Sequence, residues 1–295
     1  MLRKPAMLLL STIFAFSLAS GADAPAPQAK LSAADIVNKT VAARGGLQAW
    51  RAVQTMTLTG TLGAGGNQRT AQVTQFQGKK GVQNFPSTRR VDEVRLPFTM
   101  HLARPRKMRI ELQFKGETAL QVFDGNNGWK LRPYLNRRVV ESYTPEELKS
   151  TSTQADLDGP LVDYAAKGTK IELVGTENVE GRDTYKIKLT LKNGESEHIW
   201  IDSQTFLETK IEGQPRRLDG VLHPVEVYFR DYRDVNGLQI PFILETRVLP
   251  VTQTAPGVRD TPVPPEQTIF EKVVVNPKLD ASLFAKPEVL QSQVQ

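Results

Sequence analysis

Side chains that carry most enzymatic chemistry are sparse in this sequence. Its 295 residues include three histidines and no cysteine, which excludes thiolate catalysis, disulfides and thiolate metal sites. His101, His198 and His223 fall within or beside predicted strands, without the spacing of a metal-binding His-Glu-x-x-His helix. No Gly-x-Ser-x-Gly elbow is present to activate a serine. We interpret the histidines as half-exposed strand residues and predict no catalytic residue and no metal site.

Two further motifs suggest a ligand at first sight and are better explained as turns. Gly63-Ala64-Gly65-Gly66 is glycine-rich like a phosphate loop, but it lacks the Lys-Ser/Thr ending and joins two predicted strands. Asp231 and Asp234 flank a turn without the spacing of a calcium-binding loop. A glycosidase-type carboxylate pair is not recognisable from sequence, and no residue here points to one. We therefore predict no cofactor and no enzymatic activity.

The formal charge of +6 is distributed along the chain. Short basic clusters occur at Arg89-Arg90, between Arg104 and Arg109, and at Arg137-Arg138, but none forms a tail or a basic helix. We interpret these clusters as a solvated sheet face, with contact to an anionic lipid surface or an acidic partner as the alternative. A nucleic-acid partner is not expected, because no binding motif accompanies the charge.

The first 24 residues have the pattern of a secretory signal. Arg3 and Lys4 precede an apolar run from Met7 to Ala19, and small residues follow it, with cleavage expected between Ser20 and Ala24. The run is too short to span a bilayer, and no later stretch is apolar enough to do so. We predict a signal peptide (1–24), a Pro/Ala linker (25–31), a single domain (32–288), a C-terminal tail (289–295) and a periplasmic location.

Four helical segments are predicted, most of them from their start and stop signals. Ser32 caps the first helix, which ends at Gly45-Gly46, and a second short piece begins at Leu47. Thr144-Pro145-Glu146-Glu147 combines a cap, a first-position proline and a capping-box glutamate. Another start follows at Asp158-Gly159-Pro160, with a helix expected to end at Gly168.

The stretch from Leu96 to Pro133 is the most regular part of the chain and predicts four consecutive antiparallel strands. Met108, Ile110 and Leu112 alternate with charged or polar residues, as in a sheet with one apolar side, and we expect Trp129 to resume on that side. Similar segments elsewhere bring the number of strands to about eleven. The predicted fold class is α+β, a curved antiparallel sheet forming a half-barrel, covered by an N-terminal helix and a mid-chain helical lid.

The residues between Phe98 and Tyr143 resemble the core of a known family. Arg104-Pro105 is followed by a short strand and a hairpin of the form Val-x-Asp-Gly-x-x-x-Trp. The hairpin residues are Val122, Asp124, Gly125 and Trp129. This arrangement resembles the periplasmic outer-membrane lipoprotein carriers, the LolA/LolB-like family. Elsewhere the agreement lies in the order of the elements.

The resemblance implies a carrier that holds acyl chains of lipoproteins or other lipids in an apolar cavity. It also implies that Arg104 hydrogen-bonds main-chain carbonyls of the lid and so controls its opening. Without a cysteine to carry a lipid anchor, the soluble carrier is favoured over the anchored receptor. Candidate cavity-lining residues are Met100, Leu102, Met108, Ile110, Leu112, Val122 and Trp129. The implied partners are acyl chains, an inner-membrane donor and an outer-membrane acceptor.

Two other functions stay open at this point. The same scaffold suits an envelope-stress sensor or another module whose groove takes a polypeptide. An exported hydrolase would need an unmarked serine, threonine or carboxylate as its nucleophile. Each candidate cavity residue also suits ordinary core packing, because a core and an acyl-chain site select the same residue types.

Overall fold

The described part of the chain contains three α-helices and fifteen strands. The computed structural model describes residues 31–64, 74–78, 81–85, 93–218, 221–251 and 263–288, with backbone alone for 74–78 and 81–85. The helices are α1 (Ala33–Ala43), α2 (Leu47–Ala52) and α3 (Pro145–Gln154), and 3-10 turns lie at Pro133–Leu135 and Ala281–Phe284. The predicted signal peptide, nearly all of the linker, Gly65 and Gly66, Arg89-Arg90 and the tail lie outside the described residues.

The strands are numbered in chain order. The first eight are β1 (Thr55–Ala64), β2 (Thr74–Gly78), β3 (Gly81–Phe85), β4 (Val94–Ala103), β5 (Lys107–Phe114), β6 (Glu117–Phe123), β7 (Gly128–Arg132) and β8 (Arg137–Ser142). The others are β9 (Lys170–Val179), β10 (Arg182–Thr190), β11 (Ser196–Asp202), β12 (Glu208–Leu218), β13 (Val221–Val235), β14 (Leu238–Val248) and β15 (Glu266–Val275). The four strands expected between Leu96 and Pro133 are present, whereas β3 and β8 were not predicted.

Thirteen of these strands form one antiparallel sheet, and β2 pairs with β3 alone. The order is β8-β7-β6-β5-β4-β1-β15-β14-β13-β12-β11-β10-β9. Two hairpin-linked meanders therefore extend in opposite directions from a central pair, β1 and β15. Because β8 and β9 are both edge strands, the sheet is not closed, and its curvature gives the half-barrel predicted from the sequence.

This topology dictates where the mid-chain helix must run. The chain leaves one edge of the sheet at β8 and re-enters at the opposite edge with β9. The connection consists of α3 and a stretch of turns, here called the 155–168 segment. It crosses one face of the sheet: Lys130 of β7 forms an ion pair with Glu147 of α3. We call this face the α3 side.

The strand register identifies which residues occupy the α3 side. Leu58, Met100, Ile110, Gln121 and Lys130 form one row across five strands, because each is the cross-strand partner of the next. Directly opposed residues point to the same face of a sheet. A parallel row of buried residues comprises Met56, Leu102, Met108 and Phe123. The α3 side of this half of the sheet is therefore mainly apolar.

Local signals determined two of the helices as predicted. Ser32 accepts a hydrogen bond from the amide of Asp35, and Thr144 accepts one from that of Glu147, each completing a capping box. The helix predicted from Asp158 to Gly168 is wrong, because this stretch is a series of turns. Within it, Asp163 has a positive φ of 52°, which a right-handed helix cannot accommodate.

Candidate functional site

Arg104 lies at the corner between β4 and β5 and connects α2 and the 155–168 segment to the sheet. We call α2, α3 and the 155–168 segment together the cover. Its Nε donates to the carbonyl of Val53 at 2.7 Å, and its Nη2 donates to the carbonyl of Trp50 at 2.9 Å. Both carbonyls lie at the C-terminal end of α2, where helical partners run out. The same Nη2 also donates to Oδ2 of Asp158 at 2.6 Å. Arg104 thus binds α2 through main-chain carbonyls and the 155–168 segment through a carboxylate.

Asp158 is the point where the contacts of the 155–168 segment converge. Its side chain is almost wholly buried and also accepts from Nζ of Lys167 at 2.6 Å. Its main-chain carbonyl accepts from Nη1 of Arg44 at 3.1 Å. Lys167 in turn donates to the carbonyl of Gly159 at 2.6 Å and pairs with Asp156 at 2.9 Å. Charged hydrogen bonds therefore close the segment on itself and attach it to α1 and β4.

The pKa values of Asp156 and Asp158 are shifted in opposite directions. Burial on its own would raise the pKa of Asp158, but hydrogen bonds from Asp156, Lys167 and Arg104 outweigh burial and lower it. Burial raises the pKa of Asp156, and its hydrogen bond to Asp158 adds to the rise. Asp158 is therefore the ionised partner of the two cations, and Asp156 is the carboxyl that takes up a proton first.

A second arginine attaches the cover from the side of α1. Arg44 is buried, pairs with Glu208 of β12 at 3.1 Å, and lies 4.3 Å from the centre of the Trp50 ring. The hydroxyl of Tyr232 donates to the Glu208 carboxylate at 3.1 Å. Burial, followed by the charge of Glu208, raises the pKa of Tyr232 well above its usual value, which keeps the hydroxyl a donor. Arg44 and Arg104 thus hold the cover against opposite halves of the sheet.

A cavity of about 870 Å³ lies between this cover and the other half of the sheet. Its volume is within the range of small-molecule sites in proteins. The sheet contributes Ile211, Val225 and Val227, and α3 and the 155–168 segment contribute the facing wall. The charged residues around it are Arg106, Lys149, Asp156, Lys167, Lys192, Glu197, Glu212 and Arg216. The cavity thus combines an apolar floor with a charged border.

Glu197 is a titratable group of this cavity whose pKa is strongly raised. It lies on β11, and its side chain forms no ion pair or hydrogen bond with any described residue. Burial raises the pKa of its carboxyl to about 7, and the nearby charges of Glu212 and Glu195 contribute to the rise. Near neutral pH, the Glu197 carboxyl is therefore protonated in part of the molecules and ionised in the others.

The seven predicted cavity residues do not share one face. Met100, Leu102, Met108, Ile110 and Leu112 lie on the α3 side, with Met108 only 1 % exposed. The register instead pairs Val122 with both Arg109 and Trp129, which puts the hairpin residues on the opposite side. The prediction that Trp129 shares the apolar side is therefore wrong.

The physical reason is that β6 has large apolar residues on both faces. Val122 and Phe123 are adjacent yet both buried, so the sequence pattern does not show which face turns inward. On the opposite side, the turn Ala281–Phe284 covers the sheet, and Arg109 donates to the carbonyl of Leu283 at 3.2 Å. None of the seven residues borders the 870 Å³ cavity, which lies against β11 to β14.

The histidines have ordinary partners. His101 is 3.0 Å from the Thr57 hydroxyl, and His198 is 2.9 Å from a carboxylate oxygen of Glu212. His223 is 1 % exposed, so the prediction that it is half-exposed is wrong, and its Nδ1 lies 3.0 Å from the carbonyl oxygen of Leu249. Among the residues with described positions, no group of three or more His, Asp or Glu side chains has the geometry of a metal site. Over the same residues, no helix is long and apolar enough to cross a membrane.

Several residues of the cluster were not recognised from the sequence. Asp158 was interpreted as the start of a helix, and Lys167, Arg44 and Glu208 were not singled out. Arg44 and Asp158 are separated by 114 residues, and Arg44 and Glu208 by 164. Contacts of this range leave no local pattern in a single sequence.

No protein-family model and no curated protein matches the chain. Among solved structures, a LolA superfamily protein from Nitrosomonas europaea aligns with a TM-score of 0.51 at 10 % identity, covering 87 % of this chain and 98 % of its own. A DUF1329 family protein from Desulfovibrio piger gives 0.51 at 11 % identity, covering 86 % and 97 %. A putative outer membrane lipoprotein-sorting domain from Vibrio parahaemolyticus gives 0.48 at 12 % identity, covering 85 % and 95 %. The alignment with the LolA superfamily protein shows that the open curved sheet with its crossing cover is a LolA-like fold.

Proposed function

We propose that this protein is a periplasmic carrier that binds acyl chains of lipoproteins or other lipids and transfers them toward the outer membrane. The observation that carries the proposal is the connection from β8 to β9. It crosses the apolar side of an open sheet, forms one wall of a cavity of about 870 Å³, and is held by a few charged contacts centred on Asp158. A cover of this kind can separate from the sheet without unfolding it.

The energetics of lipid transfer set the requirements for such a protein. Each buried methylene contributes roughly 0.8 kcal/mol, so an acyl chain leaves a bilayer only for a comparably apolar space. Ile211, Val225 and Val227 provide this surface in the cavity. We place Met100, Leu102, Met108, Ile110 and Leu112 as its continuation along the α3 side of the sheet. A carrier of this kind needs no nucleophile and no metal, and we propose that the protein is not an enzyme.

The location and partners follow from the same hypothesis. The signal-like residues 1–24 support export to the periplasm. There, an inner-membrane donor would load the carrier and an outer-membrane acceptor would unload it. Because Arg104 bonds to α2 and to the 155–168 segment at once, we assign it the role of holding the cover closed.

The direct test is extraction of bound lipid from protein purified from the periplasm, analysed by native mass spectrometry, together with binding of an acyl fluorescent probe. The carrier hypothesis predicts co-purifying lipid or saturable probe binding. Protein that never carries lipid and does not bind the probe would contradict it. A stable polypeptide partner recovered without lipid would favour the polypeptide-binding module instead.

A variant of Arg104 tests the role of the cover separately. The bonds of Arg104 belong to the closed form, so their loss in Arg104→Leu should favour the open, ligand-bound form. We expect more retained lipid and slower release to acceptor vesicles. Arg182→Leu is the matched control, because Arg182 is 68 % exposed and its nearest carboxylate, on Asp202, is 4.0 Å away. Equal release by the two variants and the wild type would remove Arg104 from the mechanism.

A further inference from the structure

Some of the cationic residues that line the cavity under the cover have an acidic partner, and others do not. Five of its lining residues are cationic, and three of these have acidic partners. Lys149 pairs with Glu195, Lys167 pairs with Asp156 at 2.9 Å, and Arg216 pairs with Glu266 at 2.7 Å. The other two, Arg106 and Lys192, form no ion pair with any residue whose position is described.

The carboxylates of the cavity balance these two cations only in part. Asp156 is already paired with Lys167, whereas the carboxylate of Glu212 is bonded to the amide of His198 at 2.8 Å and to its ring at 2.9 Å rather than to any described lysine or arginine, so it contributes a negative charge. Glu197 has a pKa of about 7 and is therefore only partly ionised at neutral pH. Two cations without an ion pair to any described residue therefore stand against the charge of Glu212 and the partial charge of Glu197, so the net uncompensated charge around the cavity is positive.

The two cations lie at the border, where a polar head group would remain in contact with water. Both side chains are exposed, whereas the floor is formed by Ile211, Val225 and Val227. Lys192 belongs to the β10–β11 turn, and its aliphatic stem packs over Gly168, within 3.5 Å of where a Cβ would lie. The stem of Lys192 therefore lies next to the end of the 155–168 segment.

We infer that the cavity takes an amphiphile with an anionic head group, a carboxylate or a phosphate. The head group binds at Arg106 and Lys192, and the acyl chain lies on the apolar floor. This inference rests on the proposed function and narrows its substrate class from any acyl chain to an acidic lipid. Lysine and arginine are the usual protein partners of carboxylate and phosphate groups.

The test compares ligands with the same twelve-carbon chain and different head groups. Dodecanoate, dodecyl maltoside and dodecylammonium are each titrated below micelle formation against protein loaded with an apolar fluorescent probe. Because exposed charge pairs contribute modestly, dodecanoate should displace the probe about three- to tenfold more effectively than the non-ionic maltoside at low salt. Dodecylammonium should be the weakest, and the preference for the anion should decrease with added salt.

The double variant Arg106→Gln, Lys192→Gln should lose the preference for dodecanoate and keep its affinity for dodecyl maltoside. The control is Lys188→Gln, Lys272→Gln, which removes the same charge from the opposite side of the sheet. Equal displacement by dodecanoate and maltoside in the wild type would overturn the anionic class but leave the carrier function standing. An unchanged preference in the double variant would overturn the assignment to these residues. Failure of all three ligands to displace the probe would overturn both proposals.

Discussion

Replacing Glu197 by glutamine should stabilise the protein at pH 8 and have little effect at pH 4.5. The carboxyl is half-buried near Glu212 and Glu195, and partial burial and these two charges raise its pKa from 4.5 to about 7. In the unfolded chain the group titrates near its usual pKa, so between these two values the folded state binds more protons. The free energy of unfolding therefore falls as pH rises through this window and stays lower above it. Glutamine mimics the neutral carboxyl and avoids this loss.

The pKa difference sets the size of the effect. A rise from 4.5 to about 7 corresponds to at most about 3 kcal/mol, because each pKa unit is worth 1.36 kcal/mol. Partial solvent contact and relaxation of the side chain should reduce the gain to about 1 to 2 kcal/mol at pH 8. Urea unfolding of the wild type and of Glu197→Gln at pH 4.5, 6 and 8 measures the difference directly, since other titrating groups are common to both proteins.

Glu271→Gln is the matched control, because Glu271 is exposed on β15. It should shift the urea midpoint by the same small amount at every pH. The reasoning about Glu197 is refuted if Glu197→Gln has the wild-type midpoint at pH 8, or if its gain is equal at pH 4.5 and pH 8. The first result would mean that the carboxyl is well solvated in the folded protein, and the second that the gain does not arise from its ionisation.

Three further substitutions test the contacts that position the cover. Asp158→Ala leaves Lys167 without its main partner in a buried site and should lower the free energy of unfolding in urea by about 3 to 5 kcal/mol. Thr144→Ala removes the cap of α3 and should cost about 1 kcal/mol, with a matching loss of helical circular dichroism. Gly128→Ala places a Cβ 1.9 Å from the Tyr143 ring and should destabilise the protein by about 1 to 3 kcal/mol. A melting temperature equal to that of the wild type would contradict the close packing at this position.

The regular parts of the fold could be predicted from short-range patterns. The alternation of Met108, Ile110 and Leu112 predicted β5, and the capping boxes at Ser32 and Thr144 predicted α1 and α3. These features depend on residues close in the chain, which one sequence displays. The helix expected after Asp158 failed because its start signal is also a turn signal, and long-range charged contacts stabilise the turns.

Only part of the candidate site could be predicted from the sequence. The resemblance around Arg104-Pro105 identified one arginine of the cover, and the structure gives that arginine three hydrogen-bond acceptors. Its acidic partner, the second arginine at position 44, and the cavity against β11 to β14 depend on residues more than fifty positions apart. Val122 and Trp129 were assigned to the wrong face, because adjacent buried residues on β6 hide the period of the strand.

The sequence by itself showed which side chains for catalysis and metal binding are scarce or absent, and it determined the class of the fold. Without cysteine and with three isolated histidines, it limited the catalytic and metal chemistry available, and its hairpins and alternating strands required a large antiparallel sheet. The tertiary structure alone decided that β8 and β9 end at opposite edges, so that the connection between them must cross the apolar side. It also decided which charges along this connection are compensated. Both depend on strand order and on distances in space, which are properties of the whole folded chain rather than of any segment.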